Sequence, residues 1–201
     1  MKKVLLILAL PVCLVMGQDQ PELPGWGVYV GYGLAGASGD SVDVDGAELE
    51  TVGLPGFGVS KGVMLGGLPL QVGLGLHPRG YKLEVDMDGA HSHVEVKAQY
   101  LDFWAQMPYP VGPAFALAGI NVGTHVGGTS EMEAEFYGMS ISEEVDLEAG
   151  DFGLDVGINF GLGVPIGDTG AQVGVIYLMS LNEPNDGLKW NGLFFNLGYS
   201  F

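Results

Sequence analysis

From Asp151 to Leu162 the chain alternates without a break. Phe152, Leu154, Val156, Ile158, Phe160 and Leu162 fall on one face, and Asp151, Gly153, Asp155, Gly157, Asn159 and Gly161 on the other. Period-two alternation predicts a β-strand with one apolar face, because successive side chains of a strand point to opposite sides. The same pattern runs from Trp26 through Val28, Val30 and Tyr32 to Leu34, with Gly27, Tyr29, Gly31 and Gly33 between them. It returns at Leu70, Val72, Leu74 and Leu76, and at Leu193, Phe195, Leu197, Tyr199 and Phe201. No segment after the first residues has the apolar length of a membrane-spanning helix, and none keeps a helical period. About eight strands are predicted, near 25–37, 52–65, 70–85, 94–107, 113–126, 150–164, 171–181 and 188–201. Their connections alternate between short Gly/Pro-rich turns (66–69, 108–113, 165–170) and longer acidic stretches (38–51, 84–93, 127–149), closing with a short loop at 182–187.

A soluble sandwich and a membrane barrel both have one apolar face. Three features select the barrel. The face opposite the apolar rows is mostly glycine and amide, which suits a narrow crowded lumen. Aromatic residues (Trp26, Tyr32, Tyr199, Phe201) sit near the row ends, where interfacial girdles lie. The chain ends on Phe201 inside an alternating strand. The expected fold is all-β: a closed antiparallel up-and-down transmembrane β-barrel of about eight strands, with short turns and both ends on the periplasmic side.

The first residues read as a cleaved export signal. Lys2-Lys3 form a basic start, Val4–Met16 an apolar core, and Gly17 a cleavage site, so the expected organisation is signal peptide 1–17, a short periplasmic segment 18–24 and the barrel 25–201. Cys13, the single cysteine, leaves with the signal, and Leu10-Pro11-Val12 before it makes a poor lipoprotein motif. The expected location is the outer membrane of a Gram-negative cell. Composition agrees: 35 glycines lack a collagen-like period, and a mean hydropathy of +0.30 is too high for a disordered chain. The net charge of -17 excludes nucleic acid as a partner.

Three stretches carry a family likeness. Tyr100-Leu101-Asp102-Phe103 leads through Pro108-Tyr109-Pro110 into Gly112-Pro113-Ala114-Phe115-Ala116-Leu117-Ala118-Gly119; Asp151-Phe152-Gly153-Leu154 opens the sixth strand; Asn191–Phe201 closes the chain. Together they resemble the PorT-type outer-membrane β-barrel family, departing from it at Trp104-Ala105-Gln106. The resemblance implies a small outer-membrane barrel whose last strand, ending at Phe201, is presented to the barrel-assembly machinery. It implies nothing about activity.

Asp45-Gly46 and Asp88-Gly89 are hairpin-turn signals. A turn at Asp88-Gly89 pairs Asp86 with His91, Glu84 with His93 and Lys82 with Glu95 on one face, with Leu83, Val85 and Val94 on the other. Glu84, Asp86, His91 and His93 then form a candidate site for a divalent transition metal; the competing reading is a polar face of His–carboxylate pairs. The same logic at Asp45-Gly46 pairs Asp43 with Glu48 and Ser41 with Glu50. At Tyr137-Gly138 it aligns Glu131, Glu133 and Glu135 with Ser140, Ser142 and Glu144. The carboxylates are expected to continue the lumen face and crowd the barrel mouth, attracting Ca²⁺ or Mg²⁺ weakly. No cofactor motif is present: the Gly-x-Gly runs precede no helix.

No catalytic set emerges. Ser92 lies on the face opposite His91 and His93, and His125 has no aligned partner. Lys61, in an otherwise apolar row, reads as a snorkelling side chain or a lipid-phosphate contact. Phase changes at His77–Gly80, Tyr100–Leu101 and Ala149–Gly150 predict bulges. The favoured function is a structural or interaction barrel, with outer-membrane lipid around it and acidic outer hairpins recruiting a protein partner or cations. The alternatives are a narrow pore for small solutes and a lipid-modifying enzyme.

Overall fold

The computed structural model describes residues 25–87, 90–137 and 139–201. The expected signal peptide (1–17), the segment 18–24 and the turn residues Asp88, Gly89 and Gly138 lie outside the described residues. In chain order the strands are β1 (Trp26–Ser38), β2 (Ala47–Glu50), β3 (Val52–Leu65), β4 (Leu68–Met87), β5 (Ala90–Val111), β6 (Ala114–Phe136), β7 (Met139–Leu147), β8 (Asp155–Pro165), β9 (Ala171–Ser180) and β10 (Lys189–Ser200). Eight of them close a ring: β1 pairs with β3, and the antiparallel order runs on through β4, β5, β6, β8, β9 and β10 back to β1. Closure leaves no unpaired edge at membrane depth. The first and last strands seal along their length, from Gly27↔Ser200 to Ser38↔Lys189.

Local chemistry accounts for the short turns. Leu65 and Leu68 pair across Gly66 and Gly67, whose φ values of 58° and 85° make the double left-handed turn that only glycine takes at little cost. Val111 and Ala114 pair across Gly112 (φ 62°) and Pro113, with the glycine in the first central position.

β4, β5 and β6 are far longer than their partners and rise beyond the barrel, where β2 and β7 join them. In the barrel, the odd residues of β4 and the even residues of β5 face inward, and Leu74, Leu76, Leu101 and Phe103 face out. Above the barrel the backbone phase is unchanged and the polarity is reversed. Leu83, Val85, Val94 and Val96 continue the inner face, while Lys82, Glu84, Asp86, His91, His93 and Glu95 continue the outer one.

This reversal corrects three expectations. The phase change at His77–Gly80 is no bulge, since the β4–β5 register is unbroken from Gln71↔Gln106 to Met87↔Ala90. A register shift does occur opposite Gln99/Tyr100, but Val126 on β6 is the extra residue. The carboxylates do not crowd the lumen mouth: they line the outer wall, because the surroundings change from lipid to water while the strand keeps its twist and phase.

Two further expectations fail. The hairpin at Asp45-Gly46 does not form: β2 leaves 41–44 and pairs with β4 instead, setting Glu48 against Glu84 and Glu50 against Lys82. Val42 is thereby freed to enter the buried cluster of Ala37, Val96, Ala98, Tyr100, Leu188 and Trp190. β8 begins at Asp155 and not near 150, so Phe152 is not in the lipid-facing row; it packs against this same cluster.

Candidate functional site

The inner face is built of glycines with large rings lying on them. A methyl group added at Gly58 or Gly75 would strike the Tyr29 ring or hydroxyl, one at Gly73 would strike Trp104, and one at Gly31 or Gly56 would strike Phe194. The glycine-rich face is thus the floor on which a few aromatic side chains fill a narrow barrel.

Over this floor stands a buried polar chain. Trp104 Nε1–H donates to Tyr29 Oη at 3.1 Å, and Tyr29 Oη lies 3.0 Å from His77 Nε2. His77 Nδ1 lies 2.8 Å from Asp102 Oδ2. The Asp102 carboxylate accepts from His77 Nδ1–H, which fixes the ring's orientation and turns Nε2 toward the Tyr29 hydroxyl. Arg79, 2% exposed, joins Asp102 to Asp155: Nη2 sits 3.0 Å from Asp102 Oδ2, and Nε 2.9 Å from Asp155 Oδ2. Ser180 Oγ donates to the other Asp155 oxygen at 2.5 Å, and accepts from the Trp190 backbone at 3.0 Å. Trp190 Nε1 donates to Tyr100 Oη at 3.2 Å, and the Arg79 guanidinium lies over the Tyr100 ring at 5.3 Å. Two buried carboxylates share one buried guanidinium, and His77 and Ser180 hydrogen-bond the oxygens further, as a low-dielectric interior demands of charge it encloses.

Tyr29, His77 and Asp102 share the order of a nucleophile–base–orienter set. Asp102, however, is also clamped by Arg79, and Tyr29 by Trp104, so every member is held in a closed hydrogen-bond network. The arrangement can brace the lumen and carry polar groups across it.

Toward the short-turn end lies a cavity of about 50 Å³. Gln71, Gln106, Asn121, Asn159, Gln172 and Asn196 line it. It adjoins a vestibule of about 370 Å³ walled by Pro108, Pro110, Pro113 and Pro165.

On the outer sheet, the expected cross-strand pairs are present: Asp86↔His91, Glu84↔His93 and Lys82↔Glu95, then Glu135↔Ser140, Glu133↔Ser142 and Glu131↔Glu144. The four metal candidates share a face, yet each has its own partner. His91 Nδ1 is 2.6 Å from Asp86 Oδ1, Glu84 pairs with Lys82, and His93 Nδ1 is 3.8 Å from Glu133 Oε2. Among the described residues no three His, Cys, Asp or Glu side chains converge. The hydrogen bond that the His91 ring donates to Asp86 raises the His91 pKa above its ordinary value, while the ammonium of Lys82 lowers that of Glu84. Lys61 stands on the lipid face with Nζ 4.7 Å over the Trp26 ring, a snorkelling cation–π contact at the terminal end of the barrel.

An outer face of apolar side chains, with Val30 60% and Phe103 56% exposed around a ring with no free edge, is the surface of a protein solvated by lipid. The family model of the outer membrane protein beta-barrel domain matches residues 5–201. The chain belongs to this family. As an outer-membrane barrel it is similar in outline to solved structures at low identity. Neisserial surface protein A is 10% identical, with 89% of this chain and 99% of that one covered and a TM-score of 0.48. The attachment invasion locus protein of Yersinia pestis is 14% identical over 89% and 99%, with a TM-score of 0.45. OprG of Pseudomonas aeruginosa is 12% identical over 91% and 99%, at 0.37. No curated protein matches the chain.

The residues that organise the lumen of this outer-membrane barrel were not assembled by the sequence reading. Asp155 entered only as a position in an alternating row and Asp102 only in a stretch that carries the family likeness, while Arg79 had no role. The signal was present: a charge between two lipid-facing residues, as in Leu101-Asp102-Phe103 and Leu154-Asp155-Val156, can only face the lumen. That the charges meet across β4, β5 and β8 depends on ring closure.

Proposed function

We propose that this barrel is an interaction protein of the outer membrane that captures a partner by strand addition at the free edge of β7. The observation that carries the proposal is that, among the described residues, β7 pairs with β6 alone and stands beyond the barrel, every residue but Leu147 exposed. An uncovered edge offers a row of unpaired backbone groups to an extended segment. Side chains beside that edge specify the segment. On the outer wall stand Glu131, Glu133, Glu135 and Glu144; the inner face presents Met139, Ile141 and Val145 with Glu143 between the last two, and Ile141 is 72% exposed. A strand alternating cationic and apolar residues matches both faces at once. The edge of β2, four residues long, offers less.

The test uses the full barrel in detergent micelles and nine-residue peptides alternating Lys/Val, with Glu/Val and block-scrambled Lys/Val controls. The Lys/Val peptide should bind saturably, weaken with salt, and slow hydrogen exchange at alternate amides of residues 139–147. Binding without protection in β7, or no preference over Glu/Val, overturns the proposal. A closed lumen network supports an interaction role over a conducting or enzymatic one. The likeness of 100–119 and 191–201 to PorT-type barrels supports kinship with that group, and with it export through a leader at 1–17 and assembly through the strand ending at Phe201.

A further inference from the structure

The short-turn half of the lumen carries no ion pair and yet is strongly polar. Six amide side chains, Gln71, Gln106, Asn121, Asn159, Gln172 and Asn196, project into one cavity of about 50 Å³. In a chain with 24 acidic and 7 basic residues, no Asp, Glu, Lys or Arg among the described residues lines this cavity or the vestibule beside it, and the one titratable imidazole on the wall, His77, is engaged by Asp102. Two of the amides are orphaned. Asn159 is 0% exposed, and neither its Oδ1 nor its Nδ2 has a hydrogen-bond partner in the described chain. Asn121, 2% exposed, has no partner for Oδ1. A buried amide without a partner is costly, and a fold that keeps two of them in one cavity reserves them for something that enters it. The entrance is at the short-turn end. Gln71, Phe115, Gln172 and Ser200 line both the cavity and the 370 Å³ vestibule, while Arg79, Asp102 and Asp155 stand across the lumen on the far side.

We propose that this is a blind binding chamber for a small neutral solute of the amide or polyol class, entering from the periplasmic end and stopped at the Arg79 network. Amide side chains offer a donor and an acceptor each, so they complement a ligand that does both and carries no charge. An anion or cation would lose its hydration in a narrow lumen with no counter-charge on the wall. Roughly 10–15 Å³ of such space holds one water. The chamber therefore suits a solute of about four heavy atoms, the size of acetamide, bound in the millimolar range that so few atoms allow.

The test is a titration of the refolded full chain, ¹⁵N-labelled at Asn and Gln side chains, with acetamide and, at equal ionic strength, with its charged isostere acetate and with guanidinium. Acetamide should shift the Asn121 and Asn159 side-chain signals saturably, with at least tenfold weaker response to either ion. Asn159→Leu, which replaces an orphaned amide by an apolar group of similar size, should keep the heat-modifiable gel mobility of the folded barrel and lose the response. Gln172→Trp at the neck should weaken it without altering Asn159. Linear shifts equal for acetamide and acetate, or water alone exchanging in the chamber with no solute displacing it, overturn the proposal. So does a folded Asn159→Leu or Gln106→Leu barrel that responds like the parent.

Discussion

Replacing Arg79 by methionine removes the one cation between two buried carboxylates while keeping most of the side-chain volume. Asp102 and Asp155 are 0% and 1% exposed, and Arg79 reaches both within 3.0 Å. Deleting one partner of a buried ion pair typically costs about 3–5 kcal/mol, because the remaining charge stays buried without compensation. Here two carboxylates are left facing one another, with only His77 and Ser180 beside them. The expected loss is therefore near the upper part of that range, about a thousandfold in the folding equilibrium. Neutralising all three positions, Arg79→Met with Asp102→Asn and Asp155→Asn, removes the stranded charges and should recover at least half of the loss. Urea unfolding in detergent micelles or vesicles, followed by tryptophan fluorescence and gel mobility, measures both variants. An Arg79→Met barrel within about 1 kcal/mol of the parent would refute the reasoning. A triple variant no more stable than the single one would refute it equally, since the penalty would then come from lost packing.

Other consequences follow from particular contacts. His91, raised by Asp86, should titrate by NMR above the ordinary 6.5, and Asp86→Asn should bring it down. Because the folded value is the higher one, the contact stabilises the hairpin fully below the unfolded His value, and that stabilisation fades as pH rises through the folded one. Gly75→Ala places a methyl group against the Tyr29 hydroxyl and should cost about 1–3 kcal/mol as overpacking, with the Trp104 indole signal moving because Tyr29 accepts its hydrogen bond. Gly46→Ala, at a turn with φ 79° and nothing within contact, should cost only the left-handed strain, about 1 kcal/mol, and should leave the gel mobility unchanged.

Much of this barrel was legible in its sequence because β-structure writes its environment into alternate residues. The rows from Trp26 to Leu34 and from Leu70 to Leu76 identify their lipid-facing sides without reference to any other strand. The turn at Gly66-Gly67, the pairing of Phe136 with Met139 and the cross-strand pairs from Lys82↔Glu95 to Asp86↔His91 follow from local chemistry and a fixed two-residue count. What alternation cannot carry is a change of surroundings along one strand. When β4 and β5 leave the lipid, their apolar residues move to the inner face, and from sequence this looks like a bulge. Nor can a local pattern decide between two partners for the same short strand, so β2 was assigned to 41–44 until β4, long enough to reach it, took its place. The lumen network and the amide chamber belong to closure alone. Arg79 meets Asp102 on the adjacent strand, but Asp155 lies 76 residues away, brought beside it when the ring closes and the narrow interior forces inward side chains into contact.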